Sequence, residues 1–188
     1  MPSGRHAEAV AEIRRALELE PLGAVARAVE PMVLDSAGLT DEALKRAKET
    51  RPLLQNSYLY FYVASIVQAG AECFDDAKET AEYALGLMPG NPFLLTVLAA
   101  VHACRGGMDE VARIRKRMDV YEAACGYVPG ICTGFLDVLA GESRALDVLL
   151  EGVQEHHVFT MPWLTSRMVR NCLSSDQHQA LLRKMKLA

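Results

Sequence analysis

The densest group of chemically active side chains is the basic stretch "MDEVARIRKRM", from Met108 to Met118. Arginine and lysine bind phosphates, so this stretch could in principle contact a nucleic acid. Residues 109–122, however, carry four basic and four acidic side chains. Several opposite charges stand three or four residues apart, which is ion-pairing distance on a helix. Since the whole chain has a net charge of −4, the sequence predicts a solvated helix face and no binding of nucleic acid.

Histidines and cysteines are the next candidates, for a metal site or for nucleophilic catalysis. His156 and His157 are adjacent, so on a helix they point about 100° apart and cannot share one metal ion. Cys104 and His102 are two residues apart and do not face each other on a helix. The five cysteines include no Cys-x-x-Cys pair, which argues against a disulfide framework or a zinc site. We therefore expect no metal, no cofactor and no enzymatic activity; an enzyme using scattered Cys and His residues is the remote alternative.

Membrane insertion and export are not favoured by the apolar segments. The longest strongly apolar run, residues 92–104, is shorter than the roughly 20 residues that a membrane-spanning helix needs. The N-terminal residues lack the apolar core of a secretory signal. The sequence predicts no membrane contact and a cytoplasmic location.

The elements that position these side chains follow from an internal repeat. Five similar segments centre on pivot residues separated by 34 positions: Ala9, Ala43, Ala77, Val111 and Ala145. A small residue at such a pivot lets two helices cross closely. Gly38 and Gly106 stand five residues before a pivot, where a tight turn between helices needs a positive φ. Each unit is therefore predicted to be a helical hairpin.

The pattern resembles the tetratricopeptide repeat family, whose 34-residue unit ends in the same Ala, Ala and Pro series, with Pro21 and Pro89 here in the last position. The resemblance implies an all-α, right-handed superhelix of antiparallel helix pairs with a C-terminal capping helix. The third repeat fits only with a two-residue slip that makes Gly70 its turn glycine. The implied units are a half repeat at 1–22, full repeats at 23–55, 56–90, 91–125 and 126–158, and a cap at 159–188.

Two local features support the cap. Ser174 and Gln177 form a capping box that predicts a helix start. Trp163, the only tryptophan, is expected to pack under the last repeat as an apolar anchor. This C-terminal part is also similar to the repeat arrays of bacterial signalling proteins.

In this family the first helix of each pair lines a concave groove that holds a partner protein. The chaperone-binding subclass clamps a carboxylate with Lys, Asn and Arg, but Ala, Tyr, Thr and Met stand at those places here, so a clamp is rejected. An apolar groove suits a helical or extended apolar segment of a partner. The alternative is that these residues pack against neighbouring helices or the chain's own tail. The groove positions carried over are Met32, Asp35, Tyr60, Ala64, Val67, Gln68, Phe93, Thr96 and Ala100.

The N-terminal unit contains only a second helix. Its apolar residues Val10, Ile13 and Leu17 would then form an uncovered face, which soluble monomers avoid. These residues are predicted to be an interface, either for self-association or for an effector domain. In the second case the chain would be a regulatory or oligomerisation arm of a bacterial signalling protein, such as a transcription regulator or nucleotide cyclase.

Overall fold

The structure is a computed structural model that describes residues 5–142, 145–153 and 163–184. All the regular elements of these residues are helices. Their bounds are α1 His6–Leu19, α2 Ala24–Ser36, α3 Thr40–Thr50, α4 Tyr58–Gly70, α5 Phe74–Leu87, α6 Pro92–Cys104, α7 Met108–Cys125, α8 Gly130–Leu139, α9 Ala145–Val153, α10 Arg167–Cys172 and α11 Ser175–Lys184.

The helices pack in adjacent pairs, α2 with α3, α4 with α5, α6 with α7 and α8 with α9. The first helices of the pairs also contact one another in series, from α2 through α4 and α6 to α8, and α1 packs on α2. This arrangement confirms the predicted all-α solenoid of antiparallel helix pairs, of the tetratricopeptide type.

The 34-residue period is visible in the helix starts. The first helices α2, α4 and α6 begin at residues 24, 58 and 92, and their partners α3, α5 and α7 begin at 40, 74 and 108. Local chemistry fixes the start of α6. Asn91 Oδ1 accepts hydrogen bonds from the backbone N–H groups of Phe93 and Leu94, at 3.0 and 3.2 Å, while Pro92 occupies a helical position that needs no N–H donor.

The φ angles of the turns inside the hairpins show that the two-residue slip predicted for the third repeat is wrong. Gly38, Glu72 and Gly106 all have positive φ, at 81°, 64° and 75°, and they are 34 residues apart. Glu72 therefore takes the turn position that the sequence assigned to Gly70, and the two-residue slip is wrong. The physical reason is that α3 ends at Thr50, just before Pro52, and the long turn over 51–57 restores the register.

Glu72 is the only non-glycine residue with positive φ among the described residues. We expect Glu72→Gly to raise the free energy of unfolding by about 1 kcal/mol, because glycine has no Cβ to clash in the left-handed conformation. Urea unfolding followed by circular dichroism measures this change. Gly106→Ala is the matched control: open space surrounds the added Cβ, so strain alone should destabilise it. A Glu72→Gly protein less stable than the wild type would contradict the argument.

The predicted capping box is confirmed. The backbone N–H of Ser174 donates to Gln177 Oε1 at 2.9 Å, and the N–H of Gln177 donates to Ser174 Oγ at 3.3 Å. The helix that follows, α11, packs against α9 and buries Leu181. The predicted boundary between the last repeat and the cap, at residues 158 and 159, lies outside the described residues. Within the described part, no helix has the length and apolarity needed to cross a membrane.

Candidate functional site: the concave face and its covering segment

The face of the solenoid that the first helices form, here called the concave face after the tetratricopeptide resemblance, is contacted by the chain's own C-terminal residues. Residues 163–173, here called the covering segment, contain α10, which packs against α4 and α6. Ser166 begins α10 by accepting a hydrogen bond from the N–H of Val169. The apolar side chains of the segment are buried: Trp163, Leu164, Met168, Val169 and Leu173. The segment is thus bound through an apolar surface like that of a docked amphipathic helix.

One end of the covering segment is held by α8. The ring of Trp163 contacts Phe135 edge to face, with centroids 4.8 Å apart and an interplanar angle of 78°. Trp163 is 1% exposed, which confirms its expected position under the last repeat. Its indole Nε1 has no hydrogen-bond acceptor among the described residues. The contact is therefore an apolar and aromatic one.

An ion pair holds the covering segment to α2. Arg167 Nη1 lies 3.4 Å from Asp35 Oδ1 and donates to Thr40 Oγ1 at 2.5 Å. Thr40 in turn donates to Asp35 Oδ1 at 2.9 Å. Asp35 is only 6% exposed, and a buried carboxylate is costly unless a cation or hydrogen-bond donors compensate it. The covering segment supplies the cation.

After Arg167, α10 meets the C-terminal ends of α4 and α6. Asn171 Nδ2 donates to the carbonyl oxygen of Gly70 at 3.2 Å. A Cβ at Gly70 would lie 3.0 Å from the Cβ of Arg167 and the backbone N of Met168. Gly70 therefore serves close approach of the covering segment and not the hairpin turn. Next to this contact, Cys172 Sγ lies 3.5 Å from Cys104 Sγ.

The third repeat requires a correction of the predicted groove residues Tyr60, Ala64, Val67 and Gln68. The Tyr60 hydroxyl donates to the carbonyl oxygen of Ala47 in α3 at 2.6 Å, and burial raises the pKa of Tyr60 to about 12. Tyr60 and Gln68 line a cavity with residues of α3 and α5, and the spacing of the four residues places them on that same helix face. They face the second helices because the slip was wrong; the register-corrected positions include Tyr62 and Gly70.

The remaining predicted groove positions differ in their access to solvent. Asp35 touches the covering segment through Arg167, while Met32 is almost completely buried. In α6, Thr96 and Ala100 are buried, and the Thr96 hydroxyl donates to the carbonyl oxygen of Pro92 at 2.7 Å. Phe93 is half-buried and packs edge to face on Tyr62, with ring centroids 5.7 Å apart. Direct contact with a partner therefore requires exposure of this face.

The predicted N-terminal interface is less exposed than expected. Val10 is buried, and Ile13 and Leu17 are half-buried, because α1 packs against α2. Arg14 Nη2 also donates to both carboxylate oxygens of Glu42, at 3.0 and 3.2 Å. The exposed apolar side chains at this edge are instead Leu19, Leu22 and Val25. Self-association and the role of a regulatory arm stay predictions.

Two of the four basic residues in the α7 stretch pair with acidic groups. Arg113 pairs with Glu110, and Arg115 pairs with Asp119 at 3.4 Å and with Asp137 of α8. The pairs with Glu110 and Asp119 have the three- and four-residue spacing expected of a solvated helix face, and the pair with Asp137 joins α7 to α8. His156 and His157 lie outside the described residues, and the described part contains no group of three metal-binding side chains.

Sequence reasoning missed the residues that attach the covering segment. Arg167, Asn171 and Cys172 lie outside the 34-residue repeat, so periodicity gives them no role. Their partners Asp35, Gly70 and Cys104 are between 68 and 132 residues away along the chain. The available signal was the spacing of Asp35, Gly70 and Cys104 themselves, since each lies near the C-terminal end of a first helix.

No protein-family model and no curated protein sequence matches this chain. Among solved structures, a chain of the complex of Naa15 and Naa10 bound to HypK-THB is similar, with a TM-score of 0.42 and 15% sequence identity. The similarity covers 97% of this chain and 34% of that chain, so this protein spans about a third of the length of that neighbour. A similarity of this size carries no information about function.

Proposed function

We propose that this protein is an interaction module whose concave face binds a short helix of a partner protein, and that the covering segment occupies this face in the absence of the partner. The observation that carries the proposal is the docking of α10, with Arg167 placed on the buried carboxylate of Asp35. The covering segment is thus a model for the ligand: a short helix with one arginine and several apolar residues.

The buried Asp35 supports a ligand of this kind. When the covering segment leaves, Asp35 loses its arginine, and Thr40 is its remaining hydrogen-bond donor among the contacts described. The carboxylate then lies beside an apolar surface without its cation, so a ligand that brings a cation to the same place can pair with it again. A partner helix that carries arginine beside apolar residues would satisfy both the carboxylate and the apolar surface around Tyr62 and Gly70.

Competition within the chain predicts how such a ligand behaves. A segment on the same chain acts at an effective concentration on the order of millimolar. An external helix can bind only the fraction of molecules in which the face is exposed. Its apparent dissociation constant is therefore the intrinsic one divided by that fraction. Substitutions that detach the covering segment should increase binding of an external helix.

The test uses a fluorescently labelled peptide with the sequence of residues 163–184 and the full chain as receptor. Arg167→Glu in the receptor places a second acid against Asp35 and should detach the covering segment. We expect this variant to bind the peptide roughly tenfold or more tightly than the wild type does, as measured by fluorescence anisotropy. The peptide that carries the same Arg167→Glu change should not bind, because it cannot pair with Asp35.

Arg170→Glu is the matched control, since Arg170 is an exposed residue of the same helix and the charge change is the same. It should behave as the wild type does. If Arg167→Glu lowers the helical content, the milder Asn171→Ala variant, which loses only the bond to Gly70, takes its place. Hydrogen exchange verifies that residues 167–172 are exposed. An opened receptor that does not bind the peptide would refute the proposed function.

A further inference from the structure

Two cysteines from distant parts of the chain meet where the covering segment leaves the concave face. Cys104 is the last residue of α6, and Cys172 is the last residue of α10. Their sulfur atoms are 3.5 Å apart, whereas a disulfide requires about 2.05 Å. A displacement of about 1.5 Å, within reach of side-chain rotation at two helix ends, would join them. Neither cysteine belongs to a sequence motif, which is why spacing alone gave them no role.

The two thiols have different environments, as a reactive pair requires. Cys104 is exposed and Cys172 is half-buried. The hydrogen bond from Cys172 lowers the pKa of Cys104 to about 7, against the opposing effects of partial burial and the nearby Glu72 carboxylate. The hydrogen bond with Cys104 and burial raise the pKa of Cys172 well above its usual value. Cys104 is thus an accessible nucleophile at neutral pH, and Cys172 is a protonated neighbour.

We propose that Cys104 and Cys172 are a thiol oxidation site, at which a disulfide fastens the covering segment to the concave face. The oxidant is a hydroperoxide. The Cys104 thiolate attacks the peroxide oxygen, and the O–O bond breaks. The products are a sulfenic acid on Cys104 and an alkoxide or hydroxide, which takes up the proton that the Cys104 thiol released to solvent on ionising. The Cys172 thiol then attacks the sulfenic sulfur. The S–S bond forms, the S–O bond breaks and water leaves, so that two thiols are oxidised and one peroxide is reduced.

The consequence for binding rests on the proposed function. A bond between α6 and α10 would prevent the covering segment from leaving the concave face, so an external helix could bind only to the reduced protein. The disulfide would then make capture of a partner dependent on the redox state. A reducing agent such as dithiothreitol would restore the two thiols and the exchange of the covering segment.

The chemical part of the proposal is tested on the full chain with hydrogen peroxide, followed by non-reducing digestion and mass spectrometry. We expect one cross-linked peptide, between Cys104 and Cys172, and its disappearance with dithiothreitol. Cys104→Ser and Cys172→Ser should each abolish the cross-link. Cys125→Ser, at an exposed cysteine of α7, is the matched control and should leave it unchanged. A protein that gains only sulfinic acid, or a cross-link at other cysteines, would overturn the proposal.

Two further readouts separate this proposal from the proposed function. Amide hydrogen exchange at residues 167–172 of the wild type should slow by roughly tenfold or more on oxidation, whether or not any ligand binds. Failure to slow would overturn the fastening of the covering segment. The affinity of the wild type for the labelled 163–184 peptide should also fall by roughly tenfold or more on oxidation and recover on reduction. If the cross-link forms and exchange slows but peptide binding does not change, the oxidation site stands and the proposed function fails.

Discussion

Gly152→Ala is expected to unfold the last helix pair, α8 with α9. A Cβ on Gly152 would overlap the carbonyl carbon of Gly130 and the backbone N of Ile131. Gly134 makes the reciprocal contact, because a Cβ there would lie 2.5 Å from the backbone N of Leu149. The two helices meet backbone to backbone, so no side-chain rotation relieves the clash. We expect a loss of about 3 kcal/mol or more, at the upper end of the usual cost of overpacking.

Urea unfolding with circular dichroism measures the effect. Gly86→Ala is the matched control, because Gly86 is also inside a helix but has open space where the Cβ would stand. Alanine is a better helix former than glycine, so this control should gain about 0.5 to 1 kcal/mol. A Gly152→Ala protein with the unfolding midpoint of the wild type would show that α8 and α9 do not meet backbone to backbone.

Trp163→Ala should have an effect of comparable size, which appears first in the C-terminal part of the chain. Removing this buried side chain leaves a cavity beside Phe135. Truncations of this size in a core lower the free energy of unfolding by about 3 to 5 kcal/mol. Because Trp163 anchors one end of the covering segment, the cost should appear first as detachment of residues 163–173. Hydrogen exchange at 167–172 should accelerate, and exchange in α5 should change less than exchange in α4, against which α10 packs.

Trp163→Phe is the control for this prediction. Phenylalanine keeps an aromatic ring near Phe135 and removes an indole N–H that has no acceptor among the described residues, so its cost should be well below that of alanine. Equal acceleration in the two variants would mean that the ring contact does not hold the covering segment. In the wild type, the emission of this single tryptophan also reports whether the segment is docked.

The solenoid was predictable from the sequence because its determinants are local. The pivots Ala43, Ala77 and Val111 are buried where the helices of a pair cross, and helix starts recur with the same period. The error in the third repeat arose because glycine is only the preferred residue for a positive φ. Glu72 adopts that conformation despite its Cβ, and Gly70 is needed elsewhere, under α10. A rule based on residue preference could not distinguish these two demands.

The candidate site was only partly predictable. Asp35 was identified as a groove residue because the repeat register is regular in α2. Its arginine was not, since Arg167 lies 132 residues away in a segment without periodicity. The same holds for the contact between Cys104 and Cys172. Pairings across such distances depend on how the whole array curves, and no local pattern in the sequence records that curvature.

The covering segment also changes how the array should fold. In a simple solenoid each repeat contacts only its neighbours, so stability is a sum of nearest-neighbour terms and the ends can fray separately. Here one short segment contacts α2, α4, α6 and α8 at once. Loss of any of these repeats therefore weakens a structure shared by all, which couples the N-terminal and C-terminal pairs. The repeats should melt in one concerted transition while the segment is docked, and in separable steps once it is released.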